Sequence, residues 1–458
     1  MPFHPPSRSG RFLSRSGLPA TLALIVACWF GLHLLPLRGV AHVRAAESAS
    51  DETGVRPAAR EAMPWLRAEG TYLVDTSGQR VVLKGFNLGG SFVVEVWQSA
   101  FNNDRSSTDF PDIKDEKTLW GVLTTRFGPE KTAQLRHTWR LAWANPGDVE
   151  RLAALGCNAV RIPFWHGLLE DDSRPGQLLP EGLKMLDDLV DACAAHRVYA
   201  ILDLHGAPGC QSKDHHTGEV NRNELWGSDK YRRQTAELWA AIATHYRDRP
   251  EVAGYDLLNE PMGAPDNSTL IAVHDQLIRA IRPVDARHVI FVEDGYKGWD
   301  AFPAHPRQKG WLNVCYSLHH YRFDAKTPDV HYNVIRDELP RWRKRQEQCD
   351  VPLFIGEFNT IGRDAGAERT MLAYFEAFNG YGWSWTAWEY KKLSGNDGRG
   401  NIWGLYTNAG KWDRPNPYKD SFEQLLEKFA KYNTSNLALQ QGYADAVKKA
   451  CAGAAGER

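Results

Sequence analysis

Tyr255-Asp256-Leu257-Leu258-Asn259-Glu260-Pro261 is the stretch on which the reading of this 458-residue chain turns. It starts as an apolar run of strand length and ends in three residues that cannot continue a buried strand. Pro261 has no backbone donor, so ladder pairing stops there. A strand that stops on Asn259-Glu260 leaves a carboxyl group at a rim. Pro352-Leu353-Phe354-Ile355-Gly356-Glu357-Phe358 repeats the pattern, an apolar run closed by one acid. Taken singly, either glutamate could merely end a strand and pair with a lysine. Two of them, each at the end of a strand, are a different matter.

Working outward from these two stretches, the chain falls into repeated helix-then-strand units. Helical faces such as Val149, Leu152, Ala153 and Leu155, or Leu183, Leu186, Leu189, Val190 and Cys193, alternate with short apolar runs. The runs cover residues 82–88, 159–164, 198–204, 252–259, 289–293, 314–318, 353–357 and 382–388. Alternating apolar strands and amphipathic helices imply a parallel sheet covered by helices. Eight such units imply an α/β fold, a closed (β/α)8 TIM barrel. Such barrels carry their chemistry at the C-terminal strand ends. Ahead of the first strand, residues 71–74 and 81–86 flank Asp75-Thr76-Ser77-Gly78-Gln79 and predict a β-hairpin. After the first strand, residues 91–145 read as a long irregular insertion over the site, with a short helix over 115–127. A last helix is expected over 421–432.

The domain organisation expected is 1–45 signal peptide or membrane anchor, 46–64 linker, 65–432 catalytic barrel and 433–458 polar tail. Arg8, Arg11 and Arg15 precede an apolar run over 18–37, and Val43-Arg44-Ala45 offers small residues for cleavage. An uncleaved anchor is the alternative, and Ile25-Val26-Ala27-Cys28 resembles a lipoprotein box. Export to the periplasm or outside the cell is therefore expected, with membrane anchoring as the second option. Seven cysteines lie far apart, without zinc spacing. Cys157 and Cys315 read as small buried hydrophobes.

Composition is that of an ordinary globular protein, 43% hydrophobic and 24% charged. The length suits one large barrel or two to three smaller domains. A formal net charge of -1 gives no electrostatic case for nucleic acid. No phosphate loop or dinucleotide fingerprint appears, so no nucleotide and no cofactor are implied. The 17 tryptophans could stack on sugar rings or fill the core, and composition does not choose between these.

Placed on a barrel, the strand ends give Asn87, Arg161, His205, Asn259, Glu260, Glu293, His319, Tyr321, Glu357 and Trp388. A core does not require polar groups at almost every strand end, so the pattern points to a site. The two leading acids end strands four and seven. Paired carboxylates are what glycoside hydrolysis needs, one to protonate the leaving oxygen and one to attack the sugar carbon. Arg161, inside an apolar strand, must be paired, and Glu357 is the expected partner. Glu260 has no basic neighbour in sequence, so it is expected to hold its proton to higher pH than Glu357.

From about residue 81 to 389 the chain resembles glycoside hydrolase family 5. Its most specific words are Leu258-Asn259-Glu260-Pro261, Ile355-Gly356-Glu357-Phe358, Val160-Arg161-Ile162-Pro163 and Ser317-Leu318-His319-His320-Tyr321. The resemblance implies Glu260 as acid/base and Glu357 as nucleophile. It also implies Arg161, His205, Asn259, His319, Tyr321 and Trp388 as substrate-binding residues. Asn259 would contact the sugar 2-hydroxyl, Tyr321 would hydrogen-bond the nucleophile and Trp388 would floor the reacting sugar.

Leu88-Gly89-Gly90-Ser91-Phe92-Val93-Val94-Glu95, Asp115-Glu116-Lys117-Thr118-Leu119 and Leu204-His205-Gly206-Ala207-Pro208-Gly209 are similar to the exo-β-1,3-glucanase branch. Gly356-Glu357-Phe358-Asn359-Thr360 and Trp385-Thr386-Ala387-Trp388-Glu389 are closer to general family patterns. The implied activity is retaining hydrolysis of β-1,3- or β-1,4-linked glucans by a monomer. A β-mannan-type or other β-glycoside substrate is the alternative. Two rivals stand beside it. His205, His215, His216, His319 and His320 could suggest a metal, but no strand carries a His-x-His pair, and none is expected. A sugar-binding barrel without catalysis is the other, and the presence of both acids speaks against it.

Overall fold

The computed structural model describes residues 62–101, 110–360 and 366–452. Eight parallel strands close into a barrel: β1 (Lys84–Asn87), β2 (Ala159–Trp165), β3 (Tyr199–Gly206), β4 (Val252–Asp256), β5 (Val289–Glu293), β6 (Val314–Tyr321), β7 (Leu353–Asn359) and β8 (Ser384–Ala387). They are hydrogen-bonded in chain order, with β8 pairing β1 to close the ring. The expected (β/α)8 barrel is therefore the fold.

Strand periodicity puts the core and the site on the same inner face. Along β3, Ala200, Leu202 and Leu204 pack outward against the helices. Tyr199 and Ile201 join the lower plug of the barrel with Ala159, Val289, Phe291, Cys315 and Phe354. Asp203 and His205 follow at the same period of two, higher on that inner face. On β2 the sequence is the same, with Ala159 below and Arg161 above it. Both inward runs thus start apolar at the barrel floor and turn polar toward its C-terminal mouth.

The expected hairpin is present as Tyr72–Val74 paired with Arg80–Val81, extended by Arg67–Glu69 into three antiparallel strands. Leu66 and Leu73 pack into the barrel floor from this sheet. Met63 is buried with them, so the described end of the expected linker 46–64 belongs to the packed domain. The expected signal or anchor lies outside the described residues. Among the described residues no helix is long and apolar enough to cross a membrane. Cys157 and Cys315 are buried, as read from sequence.

Two expectations are corrected. The insertion after β1 is not mostly irregular, because helix runs over Glu116–Trp143 rather than stopping near 127. Gly128, at φ 80°, breaks it and Pro129 restarts it, since proline is favoured in a helix's first turn. A Gly-Pro pair reads from sequence as a stop, and here it is a kink. The restarted half carries Leu135, Trp139 and Trp143 into a second core with Trp120, Phe429 and Tyr432.

The second correction concerns the polar tail. Its residues Gln441–Ala452 form a helix whose Tyr443, Ala444, Val447 and Ala450 are buried. Tyr443 lies 5.6 Å edge-on to Phe86 and stacks on Phe375 at 6.4 Å. An apolar stripe at i, i+4 and i+7 was hidden among lysines and glutamines. The barrel domain therefore extends to at least residue 452, not 432.

Candidate active site

Arg161 organises the mouth of the barrel. Its side chain is wholly buried. Nε donates to Asp256 Oδ2 at 2.9 Å, and Nη1 donates to Asn87 Oδ1 at 3.1 Å and Glu357 Oε1 at 2.9 Å. Nη2 donates to Asn259 Oδ1 at 2.9 Å and Glu293 Oε1 at 3.0 Å, and lies 3.1 Å from Asp203 Oδ1. One planar fork thus fixes side chains from β1, β3, β4, β5 and β7 and the turn after β4. Asn87, Asn259, Glu293 and Glu357, expected at strand ends, all meet on it.

Glu357 points inward because of a local irregularity. Phe354 faces the barrel floor and Ile355 the helices, so simple alternation would turn residue 357 outward. The β7–β6 register shifts between Ile355 and Glu357, and one extra residue reverses the parity. That residue is Gly356, where a Cβ would come 2.8 Å from His319 Nε2 and 3.0 Å from Ser317 Oγ. Glu357 Oε2 then accepts from the Tyr321 hydroxyl at 2.9 Å.

Glu260 lies beyond the end of β4, with φ at +42°, a region rarely adopted by residues other than glycine. Its amide donates to Glu293 Oε2 at 2.7 Å, which holds the turn. Its Oε1 accepts from the Tyr296 hydroxyl at 2.8 Å and lies 2.9 Å from His319 Nδ1. Its Oε2 lies 3.6 Å from His216 Nδ1. A carboxyl oxygen of Glu260 and one of Glu357 are within 4.8 Å of each other, with His319 between them.

The expectation that Glu260 holds its proton to higher pH than Glu357 is overturned. Burial raises its proton affinity, but the His319 hydrogen bond, with His216 and Tyr296, holds its carboxyl below the usual range. Burial pushes Glu357 up to about 7, with Glu260 repelling it further, against the pull of His319 and Arg161. The order of the two acids is thus the reverse of the sequence expectation. Burial disfavours the charged form of His319, yet Glu293 and Glu357 raise its pKa well above the usual range, so it holds the proton of the group.

His205 is fixed by Asp203, its Nδ1 2.7 Å from Oδ2, and its ring stacks on Trp388 at 5.4 Å and 6°. Its Nε2 lies 3.7 Å from Glu95 Oε1. His205 loses affinity by burial, but Asp203 and Glu95 raise it to about 10. His205, Asn259, Tyr321 and Trp388 line one cavity of about 550 Å³ together with Glu260 and Glu357. Arg161 and His319 stand behind its wall.

Glu95, Trp97, His215, His216, Tyr296, Phe323 and Trp403 also line this cavity. The strand-end rule missed them because they sit on loops. Two triads could present ligands to a cation, Glu260-His319-Glu357 and Asp203-Asp256-Glu293. The second already surrounds the Arg161 guanidinium. Of the histidines of the metal alternative, His205 and His215 both face Glu95, and His319 stands between Glu260 and Glu357. His216 faces Ser212 and His320 faces Tyr374.

A family model described as Cellulase (glycosyl hydrolase family 5) matches residues 122–394. A protein named beta-xylosidase from Phanerodontia chrysosporium is 30% identical over 387 residues, 80% of this chain and 76% of that protein. A probable glucan 1,3-beta-glucosidase A from Neosartorya fischeri is 28% identical, matching 61% of this chain and 65% of its own length, just under two thirds. Among solved structures, an endogalactoceramidase aligns with TM-score 0.54 at 17% identity, over 84% of this chain and 85% of its own. Rutinosidase from Aspergillus niger aligns with TM-score 0.52 at 15% identity, over 69% and 91%. These two likenesses concern the fold. With the family model covering more than half of the chain, the protein belongs to glycosyl hydrolase family 5 and is a glycoside hydrolase.

Proposed function

We propose that the enzyme is a retaining, exo-acting β-glucosidase of glucans, with Glu357 as nucleophile and Glu260 as acid/base. The observation that carries the mechanism is the approach of the two carboxyl groups to within 4.8 Å. Retaining pairs stand about 5–5.5 Å apart, whereas inverting pairs need about 6.5–9.5 Å to admit a water. Glu260 protonates the glycosidic oxygen as the C–O bond breaks, and Glu357 forms the glycosyl ester. Water then gives its proton to Glu260 and its oxygen to the anomeric carbon, as the ester bond breaks and Glu357 leaves as a carboxylate. Sugar binding moves the proton held by His319 to the free Glu260 oxygen, Oε2, His319 itself standing 2.9 Å from Oε1.

Exo action is supported by Glu95 and Trp97. Both come from the insertion after β1 and line the cavity. The Glu95 carboxyl faces His215 at 2.9 Å and His205 at 3.7 Å and accepts from Trp97 at 2.9 Å and Gln98 at 3.1 Å, so it stays ionised and presents a fixed negative charge to a hydroxyl of a terminal sugar. On laminarin, cellulose and mannan, the expected product is glucose from laminarin from the first minutes. A ladder of oligosaccharides would refute exo action, and release of mannose alone would refute the glucan assignment. The relative named beta-xylosidase, alike over most of this chain, favours β-xylosides as the second reading. Aryl β-xyloside cleaved faster than aryl β-glucoside would select it.

The raised proton affinity of Glu357 sets the acid limb of kcat/KM. A protonated carboxyl cannot attack, so activity falls as pH drops through about 7. Measured with an aryl β-glucoside, an acid limb at an ordinary carboxyl pKa, about 4.3, would refute this. Export belongs to the same proposal, with residues 1–45 removed or kept as an anchor and the enzyme acting as a monomer. N-terminal sequencing from the host tests it, and an intact N-terminus in the cytoplasm would overturn it.

A further inference from the structure

His216 sits in the loop after β3, buried, on the far side of Glu260 from His319. Its two ring nitrogens have different neighbours. Nε2 lies 3.1 Å from Ser212 Oγ, and Nδ1 lies 3.6 Å from Glu260 Oε2. The Asp214 amide donates to Ser212 Oγ at 3.2 Å. With that oxygen already accepting, the Ser212 hydrogen is free to point at Nε2. The ring proton is then left on Nδ1, the side facing Glu260.

The charge balance around the ring keeps it neutral. Burial lowers its proton affinity, and His205 and His215, at ring distances of 5.9 and 6.3 Å, lower it further against the pull of Glu260 and Glu95. The other groups facing Glu260 are His319 and Tyr296 at Oε1, Glu293 at its amide, and Glu357 across the site. Oε1 is therefore already taken by two donors. Among the described residues Oε2 has His216 beside it and no second donor, so it is the oxygen free to carry a proton to the leaving group.

We propose that His216 is a positioning residue for the acid/base, a neutral ring locked by Ser212 with its N–H turned toward the Glu260 oxygen that hands over the proton. The inference rests on Glu260 being that acid/base. His216 keeps its own proton throughout. As Glu260 gives up its proton and becomes an anion, the fixed N–H favours that anion, so the acid is stronger than it would otherwise be. The benefit falls on substrates whose leaving group needs protonation.

His216→Phe keeps the ring volume and removes the N–H. The basic limb of kcat should move up by about one pH unit, and kcat for alkyl β-glucosides should fall about tenfold. Turnover of a dinitrophenyl β-glucoside, whose leaving group needs no proton, should not fall. His216→Asn, whose amide returns a donor near the Nδ1 position, should recover most of the loss. Ser212→Ala leaves the ring and frees its tautomer, so it should shift the limb the same way by less, and it serves if the Phe variant does not fold. An unmoved limb in Ser212→Ala and in whichever His216 variants fold would overturn the proposal. So would an equal loss for both leaving groups expressed in KM, the mark of a residue that only touches the aglycone. If Glu260→Ala keeps full activity on alkyl glucosides, the acid/base assignment itself fails. If Glu260→Ala behaves as an acid/base variant while His216→Phe matches the parent enzyme, only the His216 inference falls.

Discussion

Glu357→Ala is expected to abolish turnover of every β-glucoside, a loss on the order of 10⁵-fold, because no other group can form the glycosyl ester. Glu357 is held by Arg161 on one oxygen and Tyr321 on the other, both at 2.9 Å, so its geometry is fixed before substrate arrives. Azide added to this variant should enter the vacated space and yield the glycosyl azide of inverted anomer. Glu260→Ala should behave differently. Substrates with activated leaving groups should still complete the first step, whereas alkyl glucosides should lose about 10²–10⁴-fold. Azide should then attack the accumulated ester and give the product of retained anomer. Product anomers read by NMR decide the case. Exchanged outcomes would reverse the two roles, and full activity of both variants on natural glucan would move the site elsewhere.

The fold was legible because its signals are local. Eight apolar runs alternate with helical faces, and the inner residues of strands such as β2 and β3 change from apolar to polar toward one end. What escaped was structure supported only by distant contacts. The helix restarted at Pro129 is built on Trp139 and Trp143, which pack against Phe429 and Tyr432 some 290 residues away. The helix Gln441–Ala452 is short, flanked by polar residues, and amphipathic only toward Phe86 and Phe375. Neither partner is visible in a local window.

The site was legible to the same extent. Residues at strand ends were found because the barrel rule points to them, and Asn87, Asn259, Glu293 and Glu357 among them meet on Arg161. Loop residues such as Tyr296, His216 and Trp403 were not, since nothing in their own segments says which loop folds over the mouth. The electrostatic expectation failed for the same reason. Glu260 has no basic neighbour in sequence, yet His319, 59 residues away, lies 2.9 Å from it. The inward turn of Glu357 needed a bulge that only the register between β6 and β7 displays.

Arg161→Met is expected to cost about 3–5 kcal/mol of stability together with the activity, since it removes the cation from a buried group of acids. Asp203, Asp256, Glu293 and Glu357 all lie within 3.1 Å of the guanidinium. Without it they face one another in a dry barrel, and the inexpensive remedy is to take up protons. Arg161 is one of the groups holding Glu357 down, so its loss should raise Glu357 further and carry the acid limb of any residual kcat/KM to higher pH. Arg161→Lys returns the charge but not the fork. Three donors on a flexible stem cannot satisfy Asn87, Asp256, Asn259, Glu293 and Glu357 at once, so stability should recover more than kcat. Urea midpoints and pH profiles of the two variants separate these effects. A methionine variant within about 1 kcal/mol of the parent would mean that the surrounding acids are already neutral, because only ionised carboxylates incur the full cost of losing their cation. In that event adding Glu293→Gln to Arg161→Met would change nothing. If the acids are charged, the same second substitution should return part of the lost stability by removing one of the repelling carboxylates.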